Sequence, residues 1–165
     1  MKTAIIFYSK HGTTERVAHL IGEKLDCEVS YISLRECQKP DIRTYGQIIL
    51  GTSIYAGTPS RKVTQFCHKN QSLLEQKVIG LFICCMNKEQ ETEELGKAFP
   101  EYLQRLSIPK AALGGEFHFD KMNFIERFLT RKIAKVNASV SRLRYDAIME
   151  FADGINLKRN QKPGL

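Results

Sequence analysis

Thr3-Ala4-Ile5-Ile6-Phe7-Tyr8-Ser9-Lys10-His11-Gly12-Thr13-Thr14 opens the chain with a pattern that organises everything after it. Thr3 to Tyr8 is a short apolar run of strand-forming residues. Ser9 to Thr14 is a tight loop rich in hydroxyls. From Thr14 to Leu25 the apolar residues Val17, Ala18, Leu20, Ile21 and Leu25 recur on one helical face. Strand, loop and helix N-terminus in this order make an anion cradle. Backbone N–H groups and the Ser9, Thr13 and Thr14 hydroxyls can donate to a phosphate, and the helix dipole adds about half a positive charge.

Spacing excludes two common cradles. A P-loop needs a Gly-Lys pair, but Gly12 is followed by Thr13-Thr14-Glu15. A dinucleotide fingerprint needs G-x-G-x-x-G, and Gly12 stands alone until Gly22. The residues fit [T/S]-x-x-G-x-T, which suits a terminal monophosphate. The plainer alternative is that Ser9 caps the helix and Gly12 turns the chain.

Downstream, the same alternation repeats. Strands are expected at 28–33, 47–52, 77–84 and 110–119, the last interrupted by Gly114-Gly115. Helices are expected from Ser60, over 91–106, over 122–136 and over 144–157. Alternating strands and helices imply a parallel sheet covered on both faces. The expected fold is α/β, with five parallel strands and helices on both faces. A single domain over 1–157 is expected, followed by a polar tail over 158–165.

Ligands of such sheets bind beyond the carboxyl ends of the strands. Besides the first loop, two others leave those ends. Ser53-Ile54-Tyr55-Ala56-Gly57-Thr58-Pro59 supplies a flat aromatic ring, a glycine and hydroxyls; Cys85-Met86-Asn87 supplies a thioether and an amide. A phosphate loop with two loops able to sandwich a planar ring describes a mononucleotide with an aromatic head, and FMN fits best. The candidate cofactor residues are therefore Ser9, Lys10, His11, Gly12, Thr13, Thr14, Ser53, Ile54, Tyr55, Ala56, Gly57, Cys85, Met86 and Asn87. Tyr55 has a plainer alternative as a surface ring against Pro59. No side chain is required as an acid or base, because the flavin would carry the chemistry.

Bulk properties narrow the function class. The 165 residues suit one domain with a sizeable core. A net charge of +7 and a pI near 9.2 suit an anionic partner. The basic residues form no long tract interleaved with aromatics, which argues against nucleic acid. No apolar run approaches the ~20 residues of a membrane span, and Met1-Lys2 leads straight into a strand, so a cytoplasmic protein is expected. The five cysteines have no C-x-x-C or zinc spacing and read as reduced thiols; the histidines lack ligand spacing, so no metal is expected.

The first loop stands where the flavodoxin-like superfamily has its FMN-phosphate loop, and the chain resembles that superfamily over most of its length. The resemblance implies the flavodoxin-like fold, with the five parallel strands in order 2-1-3-4-5 and a helical insert before the last helix. The chain departs in carrying His11 where a hydroxyl is common and in lacking any Trp, so flavin stacking falls to Tyr55 or to non-aromatic groups. A closer resemblance is to the menaquinone-dependent protoporphyrinogen IX dehydrogenase branch. It rests on Gly51-Thr52-Ser53-Ile54 with Gly57, on Ala112-Leu113-Gly114-Gly115, and on the insert Lys121 to Lys135. That resemblance implies an FMN-dependent, membrane-associated enzyme oxidising protoporphyrinogen IX, with electrons passed to a quinone, on the inner face of the cell membrane. The competing function is an FMN electron carrier that docks on redox proteins. Carriers of that kind tend to be acidic, and this chain is basic.

The insert places Met122, Ile125, Leu129, Ile133 and Val136 on one stripe, with Arg127, Arg131, Lys132 and Lys135 elsewhere. Such a helix suits an anionic bilayer or a propionate-bearing tetrapyrrole; the alternative is a packing helix with a solvated basic face.

Overall fold

A computed structural model of the chain describes residues 1–135 and 138–161. Its strands run β1 (Thr3–Tyr8), β2 (Val29–Ser33), β3 (Gln47–Tyr55), β4 (Thr58–Pro59), β5 (Val78–Cys84) and β6 (Lys110–Ala112). Five of them pair in parallel in the order β2-β1-β3-β5-β6, while β4 folds back antiparallel on the end of β3. The parallel order is the one that the resemblance implies.

Both faces of the sheet are buried, and alternate side chains of each strand feed opposite layers. Ile5, Phe7, Ile49, Ile79 and Phe82 face Val17 and Ile21 of α1 (Thr13–Gly22) and Phe151 and Ile155 of α7 (Tyr145–Gln161). Ala4, Ile6, Leu50, Leu81 and Ile83 face the other layer. That layer is built from α2 (Arg61–Lys69), α3 (Gln71–Lys77), α4 (Glu91–Ala98) and α5 (Glu101–Gln104). Where a strand needs two large neighbours, a glycine makes room: a Cβ on Gly51 would meet the Phe82 ring at 2.2 Å.

Three sequence readings are corrected. The helix expected over 91–106 is two helices, because Pro100 has no N–H to continue the ladder and instead begins α5. The strand expected over 110–119 stays in the sheet only as β6. After Gly114 turns at φ 80°, β7 (Glu116–Phe117) pairs antiparallel with β8 (Val140–Ser141) in a separate ribbon. The last helix runs to Gln161, where residues 158–161 had been expected as tail; Arg159 Nε donates to Gln47 Oε1 at 3.1 Å. Tail residues 162–165 lie outside the described residues.

The ribbon of β7 and β8 frames the insert helix α6 (Phe124–Ala134). Asn123 and Glu126 close a capping box at its start. The stripe expected on this helix is split. Met122, Glu126 and Thr130 turn inward, whereas Ile125 and Leu129 are exposed beside Phe124 and Phe128. Val136 and the Ile133 side chain lie outside the described residues. No helix among the described residues is long and apolar enough to cross a membrane.

Candidate functional site

The ends of β1, β3 and β5 bring the three loops read from the sequence together. Gly12 is the N-cap of α1 at φ 97°, and no side chain caps the helix. The Ser9 hydroxyl accepts from Gly12 N at 3.0 Å, which stabilises the loop and leaves the first helical N–H groups uncapped by side chains. This replaces the reading of Ser9 as a helix cap. Thr14 is fully buried, and its Oγ1 has no hydrogen-bond partner among the described residues, with the Cys84 thiol beside it. An orphaned hydroxyl at a helix N-terminus fits an anionic ligand, since a buried unmet hydroxyl costs free energy.

Ser9, Lys10, His11, Thr13 and Thr14 share a cavity of about 50 Å³ with Ser53, Tyr55, Cys85 and Met86. A larger cavity of about 510 Å³ adjoins it, lined by Ile54, Tyr55, Ala56, Gly57, Cys85, Met86 and Asn87. The small space suits a phosphate and the larger one a planar ring with room beyond it. Tyr55 and Thr58 close a two-residue hairpin in which Ala56 and Gly57 both hold positive φ, the geometry of a type I′ turn. Ala56 carries a cost of ~1–2 kcal/mol there. Strain of this kind concentrates in ligand-binding loops.

Several residues of the site carried no sequence expectation. Glu116 reaches the small cavity, and its oxygens are occupied: Arg16 Nη1 donates at 2.9 Å, Ser141 Oγ at 2.7 Å, and His118 Nε2 lies at 3.2 Å. Its charge is therefore neutralised beside the anion loop. Lys121 and Arg35 donate to the carbonyls of His11 and Lys10 at 3.4 and 3.0 Å, which brings two more cations to that loop. The larger cavity is completed by Gln90, Glu94, Phe117, Leu129, Thr130 and Arg142. The N-x-x-E spacing of Asn123 and Glu126 is a local signal for the capping box seen here, but nothing local marks the glutamate's second partner.

Glu126 reaches from α6 to the loop between β1 and α1. It forms an ion pair with Lys10, and His11 Nε2 lies 3.7 Å from its Oε2. Lys10 also sits 4.4 Å above the Tyr55 ring centroid. Burial works against the Glu126 charge, but the Lys10 ammonium, the Asn123 N–H and His11 together hold its carboxyl below the ordinary range. Burial holds His11 below the ordinary imidazole value, against the pull of Glu126. Both shifts have the same linkage sign. Acidification protonates groups that the folded state holds unprotonated, so the stability these groups contribute falls as pH drops through the ordinary histidine range, and the Glu126–Lys10 pair itself weakens only in the carboxylate range.

The basic residues of the insert do not line either cavity. Arg127 Nε donates to Met122 O at 3.0 Å, and Arg131 lies 5.9 Å from the Phe119 ring centroid. Lys132 and Lys135 are exposed, Lys135 at φ 54° beyond the helix end. Cys67, Cys84 and Cys85 are buried thiols pushed up to about 12 by desolvation, which makes them inert packing residues.

Residues 4–142, most of the chain, match the family described as flavodoxin domain. The chain belongs to the flavodoxin-domain family. Within the curated proteins it is 18% identical over 157 residues to protoporphyrinogen IX dehydrogenase [quinone] of Escherichia coli K12, covering 90% of this chain and 87% of that one. Among solved structures it is similar to rubredoxin:oxygen oxidoreductase of the anaerobe Desulfovibrio gigas, with 16% identity and a TM-score of 0.62. That match covers 97% of this chain but 36% of the other, so the flavodoxin-domain chain spans about a third of that oxidoreductase. A Fusobacterium nucleatum flavodoxin variant bound to flavin mononucleotide matches at 12% identity and a TM-score of 0.54, covering 95% of this chain and 96% of that one. These likenesses share the fold found here, an open parallel sheet with its loops gathered at one end.

Proposed function

We propose that this flavodoxin-domain protein is an FMN-dependent oxidoreductase that oxidises protoporphyrinogen IX and passes the electrons to a quinone. The observation that carries the reading is the larger cavity, which the two ring loops share with Leu129 and Thr130 of the insert and with Arg142. A shuttle that only exposes a ring edge has no need of such a chamber. The relative named for this activity and the neighbour bound to flavin mononucleotide support the substrate and the cofactor. Bound FMN would supply two-electron redox chemistry. Ser9, Thr13, Thr14 and the uncapped N–H groups of α1 would hold its phosphate. Ser53 to Gly57 and Cys85 to Asn87 would flank its ring, and Arg142 would attract a carboxylate of the substrate. The test is anaerobic mixing of FMN-loaded protein with protoporphyrinogen IX and menaquinone while porphyrin fluorescence is followed. Fluorescence that does not rise faster than with free FMN rejects the activity.

A second reading, an electron carrier acting on redox proteins, is favoured by the outward face of α6. Phe124 is 84% exposed and Ile125 68%, an apolar surface suited to docking. On the first reading that face, with Arg131, Lys132 and Lys135 around it, rests on the inner leaflet of the cell membrane. Neutralising the three basic residues together is expected to weaken binding to anionic vesicles by about 1 kcal/mol per charge near the surface. Melting temperature and flavin content should stay near wild type. Unchanged vesicle binding removes the membrane from the reading.

Glu126 competes with a phosphate for Lys10. Glu126→Gln is expected to raise FMN affinity by up to about fivefold at low salt, matching the ~0.2–1 kcal/mol of a partly exposed ion pair. The gain should shrink at high salt. Equal affinity of both proteins at low salt would place Lys10 outside the reach of the phosphate.

A further inference from the structure

Helix α4 begins with three glutamates that meet different environments. Glu93 is exposed and pairs with Lys97, and Glu91 pairs with Arg144 at 2.6 Å. Glu94 turns inward: it is 9% exposed, lines the larger cavity, and its Oε2 has no hydrogen-bond partner among the described residues. A favourable interaction with the helix dipole does not require burial, since an exposed carboxylate in the first turn obtains it as well. Burying a carboxyl with one oxygen left unpartnered is costly, and such groups gather where chemistry needs them.

We propose that Glu94 exchanges a proton with the redox ring's cavity, taking one up as the ring accepts electrons and releasing it as the ring gives them away. This rests on the cavity being the FMN site. Electrons come from the reduced tetrapyrrole and leave to the quinone; the proton comes from the water exchanging with the cavity and returns there. The driving force is electrostatic, because negative charge arriving on the ring favours the neutral carboxylic acid nearby. The groups facing Glu94 set its starting point. Burial raises its carboxyl above the ordinary value, the Cys85 thiol opposes this, and the Glu93 charge adds to it. Arg144 is engaged by Glu91, and Arg142 is a cation that lines the same cavity.

The test has two arms. In apoprotein, carbon-13 NMR of the glutamate carboxyls should show one titrating above the ordinary glutamate range, absent in Glu94→Gln. In FMN-loaded protein, the midpoint potential followed against pH should show proton uptake beyond that of Glu94→Gln over a limited interval. Glu94→Asp should restore that extra dependence with the interval displaced. Identical pH profiles of wild type and Glu94→Gln, with FMN bound to both, overturn the role of Glu94 alone. A wild-type protein that binds no FMN overturns the cofactor reading and this inference with it. Should Glu94→Gln fail to fold, the wild-type carboxyl titration and the Glu94→Asp profile decide: an ordinary carboxyl, or a profile without the interval, overturns it.

Discussion

Gly114→Ala is expected to lower the melting temperature by ~5–15 °C, a loss of ~2–4 kcal/mol at this chain length. Two costs add. Gly114 holds φ 80°, a left-handed conformation in which any Cβ is strained, at ~1–2 kcal/mol. The new methyl would also lie 2.1 Å from the carbonyl oxygen of Arg142, and backbone cannot step aside as a side-chain tip can. The neighbouring bonds are at stake: Cys85 N to Gly114 O at 3.0 Å and Arg142 N to Gly115 O at 2.8 Å tie β5 to the segment that carries the cavity's arginine. Gly57→Ala is the control. It has φ 72° and nothing within 4 Å of its Cβ, so it bears the conformational cost without the clash. Thermal unfolding of both variants separates the two effects, and equal melting temperatures would show that the Arg142 segment shifts freely.

Thr14→Val should produce opposite signs in two measurements. Valine matches threonine in shape, and the lost hydroxyl has no partner in the fold. Stability should therefore hold or rise, because an unmet buried polar group is removed. FMN affinity should fall about tenfold or more, since a hydrogen bond to a charged group contributes ~1.5–3 kcal/mol. Calorimetric titration of both apoproteins with FMN and FAD reads the affinity, and denaturant unfolding reads the stability. An unchanged FMN affinity with raised stability would make Thr14 a packing residue. FAD binding as tight as FMN would reject the monophosphate assignment.

The two predictions rest on features of unequal legibility. Thr14 could be named from Ser9-Lys10-His11-Gly12-Thr13-Thr14, because a phosphate loop is local: strand, turn and helix N-terminus follow one another within a dozen residues. Gly114 was visible as a break, but the pattern could not show that the chain leaves the sheet there. Strand-like residues read the same whether they pair in parallel with β5 or antiparallel with β8. The split stripe on α6 has a related cause. Periodicity finds which residues share a face, while only the neighbours decide which face is turned inward. Here Lys10 and His11 draw Glu126 to the inner side, and Met122 and Thr130 follow it.

Local patterns of hydrophobicity, glycine and hydroxyl placement carried the alternation of strands and helices and marked the loop after β1 and the two loops beside it, while the five-strand order came from the resemblance to the flavodoxin-like superfamily. What stands between the loops came from tertiary contacts. Glu94, Glu126, Glu116, Arg16 and Arg142 are ordinary charged residues of helices and turns, and no local pattern marks them out. Their roles come from contacts between residues far apart in sequence, such as Arg16 with Glu116 and Lys10 with Glu126. The physical reason is electrostatic. A charge takes its energy from the groups and the water around it, and that surrounding exists only once the chain has folded.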